Sequence, residues 1–80
     1  MKTKVIMPKV GLDMEEGSVM SWLKKIGDPI QKGELLMEIE TDKASTEIES
    51  SVTGILVEIL VEENVFVPIG TTIAWIETND

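Results

Sequence analysis

The sequence predicts an all-β fold, a small sandwich or flattened barrel, on three observations. Six short runs rich in apolar and β-branched residues recur along the chain: KVIM, SVMSWL, LLMEIET, ASTEIE, ILVEILV and TIAWIET. Turn formers separate them, and no segment places apolar residues at three-and-four spacing between helix caps. The chain also repeats itself. Shifted by 37 residues, the segment from Gly17 to Thr41 falls on Gly54 to Thr78 without a gap.

The strand runs take their places from this repeat. KVIM opens the chain, and the loop-like stretch PKVGLDMEEG leads out of it. SVMSWL and LLMEIET form the first copy, joined through IGDP and QKG; ILVEILV and TIAWIET form the second, joined through EEN and PIG. The register pairs Gly17 with Gly54, Leu23 with Leu60, Gly33 with Gly70, and one IET with the other. Gly27 falls on Asn64, and both residue types tolerate a left-handed turn backbone. Two half-domains in 80 residues cannot each own a core, so their apolar faces must bury one another. Strict alternation predicts Met20, Trp22, Met37, Ile39, Ala44, Ile48, Val57, Ile59, Val61, Ala74 and Ile76 inside. Ser21, Glu38, Glu40, Glu47, Glu49 and Glu58 then face water, and Trp75 shares their parity.

Composition excludes several function classes. With no Cys and no His, the chain lacks disulfides, thiolate or imidazole metal sites, and the usual nucleophile systems. The paired carboxylates Glu15/Glu16 and Glu62/Glu63 are adjacent in sequence and sit at turn edges, so an autonomous enzyme is disfavoured. The net charge of −8 is uneven: residues 1–43 hold seven Lys against eight acids, while residues 44–80 hold seven acids and no base. Nucleic acid and anionic membrane need a basic face and are poor partners. No apolar stretch is long enough to span a bilayer, so the expected location is the bacterial cytoplasm, or the mitochondrial matrix for a eukaryotic protein.

One residue stands out at the seam of the repeat. LLMEIET closes the first copy and ASTEIE follows directly after Asp42 and Lys43, so two strands are joined by two residues, which is a hairpin. Lys43 is therefore expected at its tip, opposite the chain termini and near the pseudo-two-fold axis. A primary amine on a rigid turn suits covalent attachment, because an attaching enzyme must fit that amine into its own active site. The amine starts protonated at neutral pH, and Asp42 beside it favours the charged form, so activation must come from the attaching enzyme.

These residues resemble a known family. ETDKAS at the hairpin, MPKVGLDMEEG, IGDPIQKGELLMEIE and GILVEILVEENVFVPIGTTIAWIE are similar to the lipoyl domains of dihydrolipoyl acyltransferases from 2-oxo acid and acetoin dehydrogenase complexes. The resemblance spans residues 3–78 and implies two four-stranded antiparallel sheets with quasi-two-fold symmetry, with lipoate in amide linkage on Lys43. Asp42 and Ala44 are then its recognition context. It further implies a non-catalytic carrier, the N-terminal domain of a longer acyltransferase chain, itself monomeric within a large oligomer. A lipoyl ligase or transferase would load it and a thiamin-diphosphate-dependent dehydrogenase would acylate it reductively. The acyltransferase core would take the acyl group, most simply acetyl, and dihydrolipoyl dehydrogenase the electrons. Family membership suggests Val10, Leu12 and Met14 as dehydrogenase contacts; folding back onto the barrel is the alternative for these three. Glu47 and Glu49, after the lysine, are candidates for a further contact. The rivals are a biotinyl carrier domain, whose usual signature puts methionine on both sides of the lysine, and an unmodified structural barrel of an assembly or transport adaptor.

Overall fold

The computed structural model describes residues 1–11, 14–41 and 44–78. They form eight strands and no helix: β1 (Lys2–Ile6), β2 (Glu16–Trp22), β3 (Pro29–Ile30), β4 (Leu35–Glu40), β5 (Ser45–Glu49), β6 (Gly54–Ile59), β7 (Phe66–Pro68) and β8 (Thr72–Thr78). All pairings are antiparallel, in two four-stranded sheets ordered β1-β8-β6-β3 and β5-β4-β2-β7. The second order repeats the first: β5, β4, β2 and β7 stand where β1, β8, β6 and β3 stand. The duplication in the sequence is thus a two-fold relation between the sheets.

The hydrogen bonds repeat as well. Gly27 N donates to Leu56 O at 2.6 Å, and Asn64 N donates to Val19 O at 2.8 Å, each partner displaced by 37 residues. Leu23 N to Leu36 O and Leu60 N to Ile73 O form a second such pair, at 3.0 and 2.8 Å. Gly27 and Asn64 both adopt left-handed backbone, with φ of 97° and 69°, which explains why a glycine can align with an asparagine.

Two clusters share the core. Met7, Val19, Met37, Ile39 and Ile73 form one, and Ile30, Leu36, Leu56, Ala74 and Ile76 the other. Four residues of the first, Val19, Met37, Ile39 and Ile73, have as mates Leu56, Ala74, Ile76 and Leu36 in the second. Val5 and Trp22 pack against both and so join the halves.

Among the described residues strict alternation fails at four places, which form two mated pairs: Leu36 and Ile73 are skipped in the pairings with β5 and β1, and Met20 and Val57 in the β2–β4 and β6–β8 pairings. Val19 pairs with Ile39 but Ser21 pairs with Glu38, leaving Met20 as an extra residue; Leu56 pairs with Ile76 but Glu58 with Trp75, leaving Val57 extra. Each bulge flips the side-chain parity of its strand. Trp22 and Ile59 beyond the bulges pack inward as expected, whereas ahead of them Val19 and Leu56 are the fully buried residues, in place of Met20 and Val57. Ala44 corrects a second inward expectation, because it is exposed. It lies past the last paired residues of β4 and β5, beyond the end of the core.

A carboxylate orders the turn between β3 and β4. Glu34 Oε1 accepts from Gln31 N at 2.7 Å, and its other oxygen lies 3.4 Å from Lys24 Nζ. The Gln31 N–H above all holds its carboxyl below its ordinary value of 4.5; desolvation opposes it, and Lys24 adds to the lowering. A depressed carboxylate contributes stability above its unfolded value and loses that contribution as pH falls through the lower folded value. Glu34→Gln is therefore expected to lower the midpoint of urea unfolding slightly at pH 7, with the difference from the parent vanishing as the pH is taken below 4.5.

Candidate functional site

The hairpin between β4 and β5 is closed by its flanking residues. Thr41 N donates to Ala44 O at 2.8 Å, the Thr41 hydroxyl donates to the same oxygen at 3.1 Å, and Ala44 N donates back to Thr41 Oγ1 at 3.2 Å. These bonds extend the β4–β5 ladder by one pair, leaving positions 42 and 43 as the link between the strands. Asp42 and Lys43, the predicted attachment centre, lie outside the described residues. What is described is the clamp that holds their neighbours. A threonine suits it, since its β-branched carbon favours the strand while its hydroxyl satisfies both backbone groups of the partner.

A related clamp, sharing two of these three bonds, occurs where the chain ends meet. Thr78 N donates to Met1 O at 2.6 Å, Thr78 Oγ1 donates to it at 3.0 Å, and the Met1 amine donates to Thr78 O at 3.0 Å. Thr78 is the mate of Thr41, so the two-fold relation exchanges the hairpin end of the barrel with the end holding the termini. The hairpin does lie opposite the termini, as expected. The axis passes between those ends, so the expectation of a hairpin near the axis is corrected. The signal was present in the sequence as the repeated IET, whose threonines close both ends.

The loop after β1 enters beside this hairpin, because Ser18, near the start of β2, pairs with Glu40 at the end of β4. Met14 is folded back: it is half-buried against the core cluster that contains Met7, over the flat surface left by Gly17. Val10 is 45% exposed, and its N–H donates to Met14 Sδ at 3.4 Å, so the thioether also pins the loop. Of the three expected contact residues, Val10 is exposed, Met14 is half-buried against the core, and Leu12 lies outside the described residues. Glu47 and Glu49 are exposed on β5, with Glu47 directly opposite Glu38. Sequence reasoning missed Ser18, which is fully buried beside Glu40 with no partner for its hydroxyl. Among the described residues no group of three or more acids is placed to hold a metal.

Comparison with known proteins fits this geometry. A profile of the biotin–lipoyl family, described as biotin-requiring enzyme, matches residues 3–76. The chain belongs to the biotin–lipoyl family. Within it, this lipoyl domain is similar to the acetyltransferase component of the acetoin cleaving system of Bacillus subtilis, at 46% identity over 76 residues, 95% of this chain and 19% of that protein. It is 50% identical over 72 residues to the acetyltransferase component of the pyruvate dehydrogenase complex of Mycobacterium bovis, covering 90% of this chain and 13% of that one. The chain therefore spans a fifth or less of the length of these relatives. The solution structure of the lipoyl domain of the 2-oxoglutarate dehydrogenase complex from Azotobacter vinelandii superimposes with a TM-score of 0.74 at 28% identity, over 99% of this chain and 98% of the other.

Proposed function

We propose that the lipoyl domain is an acyl carrier loaded with lipoate on Lys43, and that it works as one domain of a longer dihydrolipoyl acyltransferase. The observation that carries this reading is the Thr41–Ala44 clamp. It fixes two strand ends at the tip of a rigid barrel, so that a two-residue link containing one primary amine spans them. Attachment requires such an amine and little else, and Lys43 is the only lysine after Lys32. Ala44 stands where a biotinyl carrier would place methionine, which favours lipoate over biotin.

When attached, lipoate supplies a dithiolane that accepts an acyl group together with electrons and passes both on. The chain supplies presentation. Two sheets with a shared core hold the hairpin against deformation, and no side chain in the clamp is a general acid or base. The partners implied are a lipoyl ligase or transferase, a thiamin-diphosphate-dependent dehydrogenase, the acyltransferase core and dihydrolipoyl dehydrogenase. Both relatives above are acetyltransferase components, which supports acetyl as the cargo.

The test is acylation of the loaded domain. Given the thiamin-dependent component of a bacterial pyruvate dehydrogenase complex and pyruvate, or of an acetoin-cleaving system and acetoin, it is expected to gain one acetyl group and one hydrogen by mass. That gain corresponds to one thioester formed and one thiol freed as the disulfide is reduced. A loaded domain that gains mass with neither would contradict the carrier reading.

A further inference from the structure

The two halves fill their cores unequally, and one position accounts for the difference. Met7 N donates to Thr71 O at 2.9 Å and Met7 O accepts from Gly70 N at 3.0 Å; Ser50 N donates to Glu34 O at 2.8 Å and Ser50 O accepts from Gly33 N at 2.9 Å. Thr71 and Gly70 are the mates of Glu34 and Gly33, so Met7 and Ser50 occupy one backbone site in the two halves. Their side chains do not match. Met7 is fully buried and completes the first core cluster with Val19, Met37, Ile39 and Ile73. The second cluster contains the mates of those four, but at the methionine's place it has a serine. Ile30, its fifth member, does not take over that place, since its own mate Val67 packs against the first cluster. The Ser50 hydroxyl is engaged by its own chain: it donates to Val52 O at 2.7 Å and accepts from Val52 N at 3.3 Å.

A cavity of about 200 Å³ opens at Ser50, between the edge strands β1 and β5. It is lined by the buried Leu36 and Ile76 and the half-buried Val5, Ile48 and Val52. Such a lining offers water few of the polar partners it needs. In the other half the unbranched side chain of Met7 fills the equivalent space, so the cavity has the shape of a linear apolar chain. The rim adds charge of both signs. Lys4 lines the cavity from β1 and Glu49 from β5; both are exposed, and among the described residues neither is in an ion pair. The ligand that matches interior and rim together has an unbranched apolar chain on a head group bearing one positive and one negative charge. A free amino acid with a linear side chain is such a molecule.

We propose that the cavity between β1 and β5 is a binding site for a free α-amino acid with an unbranched apolar side chain, methionine being the type. The side chain lies where Met7 lies in the other half, the carboxylate meets Lys4 and the ammonium meets Glu49. This site is independent of the carrier reading. Ser50 lies roughly 20 Å along the strand from Ala44, beyond the reach of roughly 14 Å that summed bond lengths give a lipoyl-lysine arm. An arm on Lys43 therefore does not occupy the cavity of its own domain.

The test is an NMR titration of the domain with L-methionine, read at the backbone amides of Val5, Ile48 and Val52, which line the cavity. Saturable shifts centred on these amides are expected. L-Norleucine, of the same length without sulfur, should bind as well as methionine, and L-isoleucine, branched at Cβ, about tenfold more weakly. Hexanoate and pentylamine keep the chain and one charge each, and should bind about threefold more weakly than norleucine. Lys4→Gln and Glu49→Gln, both at exposed positions, should each lower methionine affinity by a similar factor at low salt. Ser50→Met supplies from within the side chain that the other half already has; it should abolish binding and raise Tm by about 3 °C. Absence of saturable shifts, equal affinity for isoleucine or hexanoate, undiminished binding in Lys4→Gln or Glu49→Gln, or a Ser50→Met variant that binds like the parent or is destabilised would overturn the proposal.

Discussion

Replacing Gly54 by alanine is expected to destabilise the domain by about 3 kcal/mol, the upper end of what overpacking a core costs. Gly54 opens β6 opposite Thr78, and a Cβ there would collide with the Glu77 carbonyl oxygen, with its carbonyl carbon at 2.9 Å and with Ile76 Cγ2 at 2.9 Å. Most of the obstruction is backbone of the neighbouring strand, which cannot move without breaking the β6–β8 ladder. Its mate Gly17 gives the contrast. A Cβ at Gly17 meets Met14 Cε at 2.6 Å, the free end of a flexible side chain, and next Glu40 O and Met7 Sδ, both at 3.3 Å. Gly17→Ala should thus cost about 1 kcal/mol, mostly by displacing Met14. Equilibrium urea unfolding of the two variants reads the difference directly, and equal midpoints would show that the packing around the two glycines is misassigned.

Moving the attachment lysine by one residue should abolish loading and spare the fold. In Lys43→Ala/Ala44→Lys the amine would move from the two-residue link to the clamp position, whose backbone N–H and C=O are tied to Thr41. A ligase that reads the hairpin tip would then find no amine where it acts. Because Ala44 is exposed, the substitution buries no charge, and the unfolding midpoint should stay within about 0.5 kcal/mol of the parent. Loading of the displaced lysine at the parental rate would mean that the ligase reads local sequence rather than position.

Most of the architecture was legible because the repeat supplied the register. The alignment of Gly27 with Asn64 and of Gly33 with Gly70 marked four positive-φ turns, and the repeated IET marked both ends of the barrel. Side-chain direction was less legible. A bulge inserts a residue without changing composition, so nothing in GSVMSW or GILVEI shows that Val19 and Leu56, rather than Met20 and Val57, fill the core. Ala44 fitted the inward period but lies where the core has ended, a boundary that periodicity does not carry. At the site, the hairpin followed from two strands separated by two residues. Folding back of the loop was one of two readings open for Val10, Leu12 and Met14; that Met14 takes it depends on a contact over Gly17 distant from any strand pattern.

The central claim is that Lys43 carries lipoate, and intact-mass measurement tests it most directly. Incubated with lipoate ligase, lipoate and ATP, the parent domain should gain the mass of one lipoyl group, all of it on the peptide containing Lys43, and Lys43→Arg should gain none. A parent of unchanged mass, or a Lys43→Arg variant that is still modified, would contradict the account.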